Sequence, residues 1–515
     1  MAPPSPPHQT RRNFVRRPIH PGLLALLLVG CSGSTDDPDD NSSPTTSTGA
    51  STGSSTSSAA PTTATGTDST ASQVTQHLTT ADRAHLFSEV TDEVRPFDTA
   101  LTLSVEIDPT QTRQEIVGFG FALTGGSAQH LHDMTAPARA ALLDELFSTA
   151  DGGISMSFLR VSVGASDLDA TAFSYNEDAS DPTHTGFSLG PHADHLVPML
   201  QEILTVAPDM AIMASPWSAP SWMKDSGSFI GGSLLPEHQA SYAAYLATYL
   251  QAMASEGIDI THLTVQNEPL HDGNNPSMTM EAVDQADFVE NHLGPTLASN
   301  GHGTAIVAYD HNADRADYPI SVLSDAGAAP YLDGAAFHLY GGSIDALTTV
   351  HNAHPDKHIY FTEQWYSADG DFMGDFHWHM RNVVIGSMRN WSRGVIEWNL
   401  SSNATLTPHT AGGCTRCLGA VTIDGDSITR NAGYYAIAHA SRYVQPGSVY
   451  LHTEEVEGLL QAAFSTPDGN RVLLVMNDSD AAVAFNVTDG EMAFSTALDT
   501  GATATYVWAA APSSR

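Results

Sequence analysis

Lysine is almost missing from this chain. Its 515 residues hold two, Lys224 and Lys357, and only 20 basic residues stand against 58 acidic ones, a formal net charge of −38. A nucleic-acid binder needs a basic footprint for the phosphates, so that class is excluded. Attachment of the folded part to an anionic membrane surface is excluded for the same reason. A neutral ligand fits this charge best. Cysteine is scarce too, at three residues, so the chain is no disulfide-dense scaffold. Two of the three form one Cys-x-x-Cys pair, Cys414 and Cys417 in GGCTRCLG. One pair is half a structural zinc site, and the remaining ligands would have to be histidines from elsewhere. The βαβ setting of a redox motif is missing. Outside the cytoplasm, a local disulfide that staples a Gly-rich loop is the preferred reading. No run is long and apolar enough to cross a bilayer as a helix. GFGFALTGG lacks the Gly-x-Gly-x-x-Gly spacing of a dinucleotide site.

The N-terminus is rich in signals. Arg11, Arg12, Arg16 and Arg17 precede GLLALLLVG and then Cys31. That order is the layout of an export signal over residues 1–31. TRRNFVRR resembles a twin-arginine signal. Leu28-Val29-Gly30-Cys31 resembles a lipobox, which makes Cys31 the expected lipidation site. Residues 32–80 are Ser, Thr, Asp, Gly and Pro with few large apolar side chains, so they are expected to form a disordered tether. The expected location is outside the cytoplasm, as a cell-surface or outer-membrane lipoprotein or a secreted protein. Any membrane contact would run through the N-terminal lipid.

From about Gln114 short apolar strands alternate with helical spacing. Strands are expected near 116–119, 157–163, 210–214, 262–266, 304–308, 334–338, 358–362 and 394–398. Helices are expected over 137–147, 236–253, 280–293 and 373–388. Eight such units predict an α/β fold, a (β/α)8 barrel over residues 113–442. Beyond it, Asp468-Gly469-Asn470 reads as a turn between two strands. Residues 443–512 are therefore expected to form an all-β sandwich, joined by an N-terminal strand within 98–112.

The chemistry is expected at the strand ends. Glu268 closes the fourth strand in TVQNEP, and Glu363 closes the seventh in IYFTEQW. Both then face the C-terminal mouth of the barrel, where such enzymes place their reactive groups. Two carboxylates across one cleft meet the requirement for glycoside hydrolysis: one protonates the leaving oxygen, the other attacks or activates water. Trp217, Trp222 and Trp398 offer faces for sugar rings. Arg160, inside the second strand, could hold a carboxylate ionised. Asp167, His338 and Tyr340 fall at the same end. Each of these could separately be structural, and their coincidence at strand ends favours a site. Neither cofactor nor metal is expected. His377-Trp378-His379 falls inside a predicted helix, and the first strand offers no His-x-His.

VGFGFALTGGSA, LRVSVGASDLD, ASPWSAPSWMK, TVQNEP, FHLYGG, YFTEQ and EWNLSSN, in that order, resemble glycoside hydrolase family 30, the family of the glucosylceramidases. The resemblance spans about residues 98–510. It implies a barrel with a β-sandwich built from both ends of the domain, and a retaining mechanism. Glu268 would be the acid/base and Glu363 the nucleophile. Asn267 would bond the sugar 2-hydroxyl, and Asp167 the distal hydroxyls. Trp217 and Trp398 would line the glucose subsite, and Tyr340 would hydrogen-bond the nucleophile. Three departures bear on substrate choice: Phe121 and Gly125 in the first motif, no Gly-Gly-Pro after Trp398, and bulky Gln364-Trp365-Tyr366 after Glu363. The substrate implied is a neutral β-glucoside, glycolipid or glucan. The leading expectation is a glucosylceramidase. The alternatives are an endo-β-1,6-glucanase and a non-catalytic carbohydrate-binding lipoprotein.

Overall fold

The structure is a computed structural model and describes residues 74–90, 94–150 and 152–510. The expected export signal, Cys31 and the tether up to residue 73 lie outside the described residues.

Eight strands form the larger sheet of parallel strands: β1 (Gly118–Phe121), β2 (Phe158–Val163), β3 (Ala211–Pro216), β4 (His262–Thr264), β5 (Ala305–Ala313), β6 (Leu332–Gly342), β7 (His358–Glu363) and β8 (Ser392–Glu397). They pair in parallel in the order β1-β8-β7-β6-β5-β4-β3-β2. The ring closes through the parallel bridge of Ala122 with Arg160 and the bond from the Leu123 N–H to the Arg160 carbonyl, 2.8 Å. This is the expected (β/α)8 barrel, with strand bounds within a few residues of the sequence reading.

Alternation along each strand sorts its residues into an inner and an outer set. In β2, Leu159, Val161 and Val163 belong to the core shared with the helices, while Phe158 joins the plug inside the barrel. That plug is Phe158, Met213, Val307, Ala336, Tyr360 and Ile396. Two residues further along the same strands stand Arg160, Ser215, His338 and Thr362, all buried. The lumen thus turns from apolar to polar in one step, directly beneath the mouth.

Two predicted helices are interrupted. The 280–293 segment is α-helical over Ala282–Phe288 and continues as a π-turn over Val289–Leu293. The 373–388 segment holds a π-turn at Met380–Ile385. Hydrophobic spacing reports the buried face and is blind to one inserted residue.

The sandwich departs from the expected bounds. Its N-terminal strand is Ser104–Glu115, whose first residues pair in parallel with Val483–Thr488 and whose later ones pair with Val449–Thr453. It therefore belongs to both layers, which enclose Val105, Leu473, Phe485, Phe494 and Trp508. The tether also ends earlier than its composition suggests. Thr75–Thr79 is a strand paired antiparallel with Thr503–Ala509. Its buried Thr79 Oγ1 meets His439 Nε2 at 2.8 Å. Backbone pairing on both sides, with Thr503–Ala509 and Ser88–Val90, orders a segment that apolar burial alone would not.

Candidate active site

Glu268 lies just beyond β4, and its backbone is left-handed, with φ 46°. A non-glycine residue adopts that conformation at a cost and keeps it only where the surroundings impose it. Here the Glu268 N–H donates to the Asp310 carbonyl (3.0 Å) and the Asn267 N–H to the Pro216 carbonyl (2.8 Å). The turn aims the carboxylate across the barrel mouth toward Glu363 at the end of β7.

Arg160 organises the layer below. Nη1 donates to Glu363 Oε2 at 2.5 Å, and Nη2 to Asn267 Oδ1 at 2.6 Å and Asp310 Oδ2 at 2.8 Å; Nε donates to Ser215 Oγ at 2.9 Å. Its guanidinium carbon lies 4.8 Å from the centroid of the Trp217 ring. A fully buried cation survives only when paired and hydrogen-bonded, and Arg160 is both.

His338 stands between three carboxylates. Nδ1 is 3.2 Å from Glu268 Oε1 and 3.9 Å from Glu363 Oε1, and Nε2 is 3.1 Å from Asp310 Oδ1. Burial alone would lower its pKa. Glu363, Asp310 and Glu268 override that and raise it to about 9. Both ring nitrogens face acceptors, so both carry protons. This decides the metal question for the one described cluster with ligand-like spacing, Glu268, His338 and Glu363. A doubly protonated imidazole has no lone pair to give, and the guanidinium on Glu363 repels a cation. The donor set does not fit a metal. His379 of the His-x-His pattern pairs instead with buried Glu397 (2.8 Å).

A carboxylate oxygen of Glu268 and one of Glu363 lie within 4.8 Å of each other. At that distance the two titrate as a pair. Burial pushes Glu363 up against the pull of His338 and Arg160. Burial also acts on Glu268, but its bond to His338 draws it down. The hydrogen bonds decide where a shared proton resides. Glu363 accepts on both oxygens, from Arg160 and, at 2.9 Å, from the Tyr340 hydroxyl. A proton on Oε2 would face the Arg160 guanidinium, which can only donate. Glu268 Oε2 has one long contact, 3.4 Å from Asn274 Nδ2, and opens onto the cleft. These contacts favour the anion on Glu363, against the push of burial, and leave Glu268 Oε2 as the oxygen open to a proton.

The cleft above holds about 310 Å³, lined by Asp167, Trp217, Tyr340, Trp365 and Trp398 with both glutamates. The Trp217 and Trp398 ring centroids are 5.5 Å apart. Asp167 is buried, and burial raises its pKa to about 7 despite the Cys414 N–H at 3.1 Å. Asn267 Oδ1 is taken by Arg160, which leaves its amide N–H groups for a ligand. Cys414 and Cys417 form a disulfide at the rim. Trp222 is the sequence candidate that stays away: it packs near His184 and His238, and its indole N–H donates to Asn176. A larger cavity of about 560 Å³ lies at the opposite end of the barrel, beside the starts of β2 and β3, away from both glutamates.

The most important residue that sequence reasoning missed is Asp310. It is fully buried and accepts from Arg160, His338, Thr362 (2.6 Å) and Thr264 (2.7 Å). Burial would raise its pKa, but Arg160 and His338 hold it well below the carboxylate range. Alternation from inward Val307 points Tyr309 and His311 into the barrel and Asp310 out. A bulge reverses this: Ala336 pairs with Tyr309 and Phe337 with His311, and both Tyr309 and Asp310 have positive φ. An Asp inside the apolar run AIVAYDHNA was the available signal. His271, Asn274, His311 and Asn312, which line the cleft with Glu268, were also missed: His271 and Asn274 sit on a polar loop that carries no period, and His311 and Asn312 follow the bulge in β5.

The family profile described as the glycosyl hydrolase family 30 TIM-barrel domain matches residues 116–444, and that of the family 30 beta sandwich domain matches 447–506. The chain belongs to glycoside hydrolase family 30. Among curated members, the endo-1,6-beta-D-glucanase neg1 of Aspergillus fumigatus is 34% identical over 418 residues, covering 75% of this chain and 84% of that protein. The lysosomal acid glucosylceramidase of Mus musculus is 27% identical over 443 residues, covering 80% and 84%. Among solved structures, the endo-beta1,6-glucanase BT3312 superposes with a TM-score of 0.79 at 33% identity, covering 85% of this chain and all of that one.

Proposed function

We propose that this family 30 enzyme is a retaining endo-β-1,6-glucanase, the alternative weighed from sequence rather than the glucosylceramidase preferred there. The observation that carries the mechanism is the carboxylate spacing, within 4.8 Å. Retaining glycosidases hold their two carboxyls about 5–5.5 Å apart, and inverting ones about 6.5–9.5 Å, to admit a water. Glu363, whose anion accepts from Arg160 and Tyr340, attacks the anomeric carbon. Glu268 gives its proton to the departing sugar oxygen and then takes one from the water that releases the glucosyl-enzyme. Asn267 donates to the 2-hydroxyl, Asp167 accepts from distal hydroxyls, and Trp217 and Trp398 wall the ring. Between nucleophile and acid, His338 and Arg160 carry the positive charge that balances Asp310 and Glu363.

The substrate assignment rests on two supports. The curated endo-1,6-β-glucanases are 33–34% identical to this chain, while the curated glucosylceramidases are 27–29% identical. The cleft on the Glu268 side is edged by His271, Asn274, His311 and Asn312, groups that hydrogen-bond a leaving sugar and offer little to a lipid chain. Export and lipid anchoring at Cys31 fit a polysaccharide substrate outside the cell. The test is side-by-side product analysis of the full chain on β-1,6-glucan and on glucosylceramide in detergent. Short gluco-oligosaccharides from the glucan are expected. Ceramide and glucose from the lipid, with the glucan untouched, would restore the glucosylceramidase reading, and no product from either would favour a binding protein.

A further inference from the structure

The segment 410–418 touches both walls of the cleft and carries a bond that the reaction does not use. On one side it grips Asp167. The Cys414 N–H donates to Asp167 Oδ2 at 3.1 Å, and the Thr410 N–H to the Asp167 carbonyl at 2.9 Å. Gly413 lies so close that a Cβ there would stand 2.4 Å from that carbonyl. On the other side it grips the chain leaving Glu363. Cys417–Leu418 pairs antiparallel with Tyr366–Ser367, and the Ala368 N–H donates to the Arg416 carbonyl at 2.9 Å. Arg416 adds an ion pair with Asp369 at 2.7 Å. The Cys414–Cys417 disulfide joins these two grips across exposed Thr415 and Arg416. Both cysteines line the cleft with Trp365 and Trp398.

Asp167 depends on this arrangement. Its carboxylate accepts from the Cys414 N–H, with its own backbone N–H beside it. Burial already drives the carboxyl up to about 7, with Glu363 and Glu268 adding to the push, and the Cys414 bond is the larger of the two that oppose them. An acceptor for sugar hydroxyls works best as the anion. We propose that the disulfide is a positioning device for sugar binding, acting through the Cys414 backbone on Asp167, and that a dithiol reductant releases it. Cys414 is partly exposed and Cys417 buried, so a reagent thiolate attacks Cys414 Sγ and expels Cys417 as the thiolate. The reagent's second thiol then displaces Cys414. The reagent closes to its cyclic disulfide, and two electrons and two protons end on the cysteines.

The inference uses the glucanase reading for its assay and not for its geometry. The full chain is compared oxidised and after dithiothreitol, on β-1,6-glucan and an aryl β-glucoside, with hydrogen exchange followed by mass spectrometry. Reduction is expected to raise KM roughly tenfold, as for one lost charge-assisted hydrogen bond, and to hold kcat within about twofold. Segments 164–170 and 410–418 should exchange faster. In Asp167→Asn, reduction should add no further rise in KM, because the clamp acts through that carboxylate. The double variant Cys414→Ser, Cys417→Ser should match the reduced protein; if it does not fold, the reduced wild type carries the test. Unchanged exchange overturns the proposal whatever the kinetics show. So does faster exchange with an unchanged KM on a substrate that the oxidised protein hydrolyses. If the oxidised protein hydrolyses neither sugar, the glucanase reading fails and exchange alone decides the clamp.

Discussion

The buried imidazolium gives the most quantitative prediction. His338 has a folded pKa of about 9 against an ordinary 6.5. A histidine raised on folding contributes stability that is fully present below pH 6.5 and is lost as pH rises to 9. The contribution is about 3 kcal/mol, at about 1.4 kcal/mol per pH unit. Breaking the cluster with His338→Gln should cost about 3–5 kcal/mol at pH 6, since it leaves paired carboxylates without their cation. The gap between the two proteins should then narrow by about 3 kcal/mol between pH 6.5 and 9. For the 433 described residues, that is roughly 3 °C in Tm at about 2.1 cal/mol/K per residue. Lys224, drawn down to about 7 by burial, tilts wild-type stability the other way above pH 7, so the informative quantity is the difference between the proteins. Thermal melts of both at half-unit pH steps read it directly. A gap that stays constant from pH 6.5 to 9 would refute the charged, carboxylate-bound imidazole.

Glu363→Gln should abolish turnover while the far-UV dichroism and the melt stay native, because the nucleophile is lost and the scaffold kept. Glu268→Gln should slow glucan hydrolysis by roughly 10²–10⁴-fold, with a much smaller loss in the bond-breaking step for an aryl glucoside whose leaving group needs no proton. Equal losses on both would remove Glu268 from the acid role. Asp310→Asn places an amide N–H₂ against either Arg160 and Thr264 or His338 and Thr362. It should destabilise the fold by about 3–5 kcal/mol and cut kcat more than it raises KM; a near-native melt would contradict its place in the network. Deleting everything before Ala81 removes the strand Thr75–Thr79 and its Thr79–His439 bond. That chain should melt several degrees below one starting at residue 74, and equal melts would return these residues to the tether.

What was legible in the sequence follows from which forces leave a period behind. The barrel strands show because their inward and outward residues alternate and their ends are punctuated. The two glutamates show because each closes such a strand. Arg160 shows because a cation inside FLRVSV demands a partner. Asp310 does not, since one bulged residue reverses the alternation that would have revealed it. The strand Thr75–Thr79 does not, since its order comes from pairing with a segment more than 400 residues away rather than from its own composition. His271 and Asn274 sit on a loop, where only the folded chain says which of many polar side chains reach the cleft, and His311 and Asn312 lie past the same bulge that hides Asp310.

The most direct test of the central claim is the anomeric proton signal of the first reducing sugar released from β-1,6-glucan, followed by proton NMR before mutarotation. The carboxylate spacing predicts β-configured product at the earliest times, decaying to the equilibrium mixture. Initial α-product would mean that water attacks directly, and would contradict the assignment of Glu363 as nucleophile.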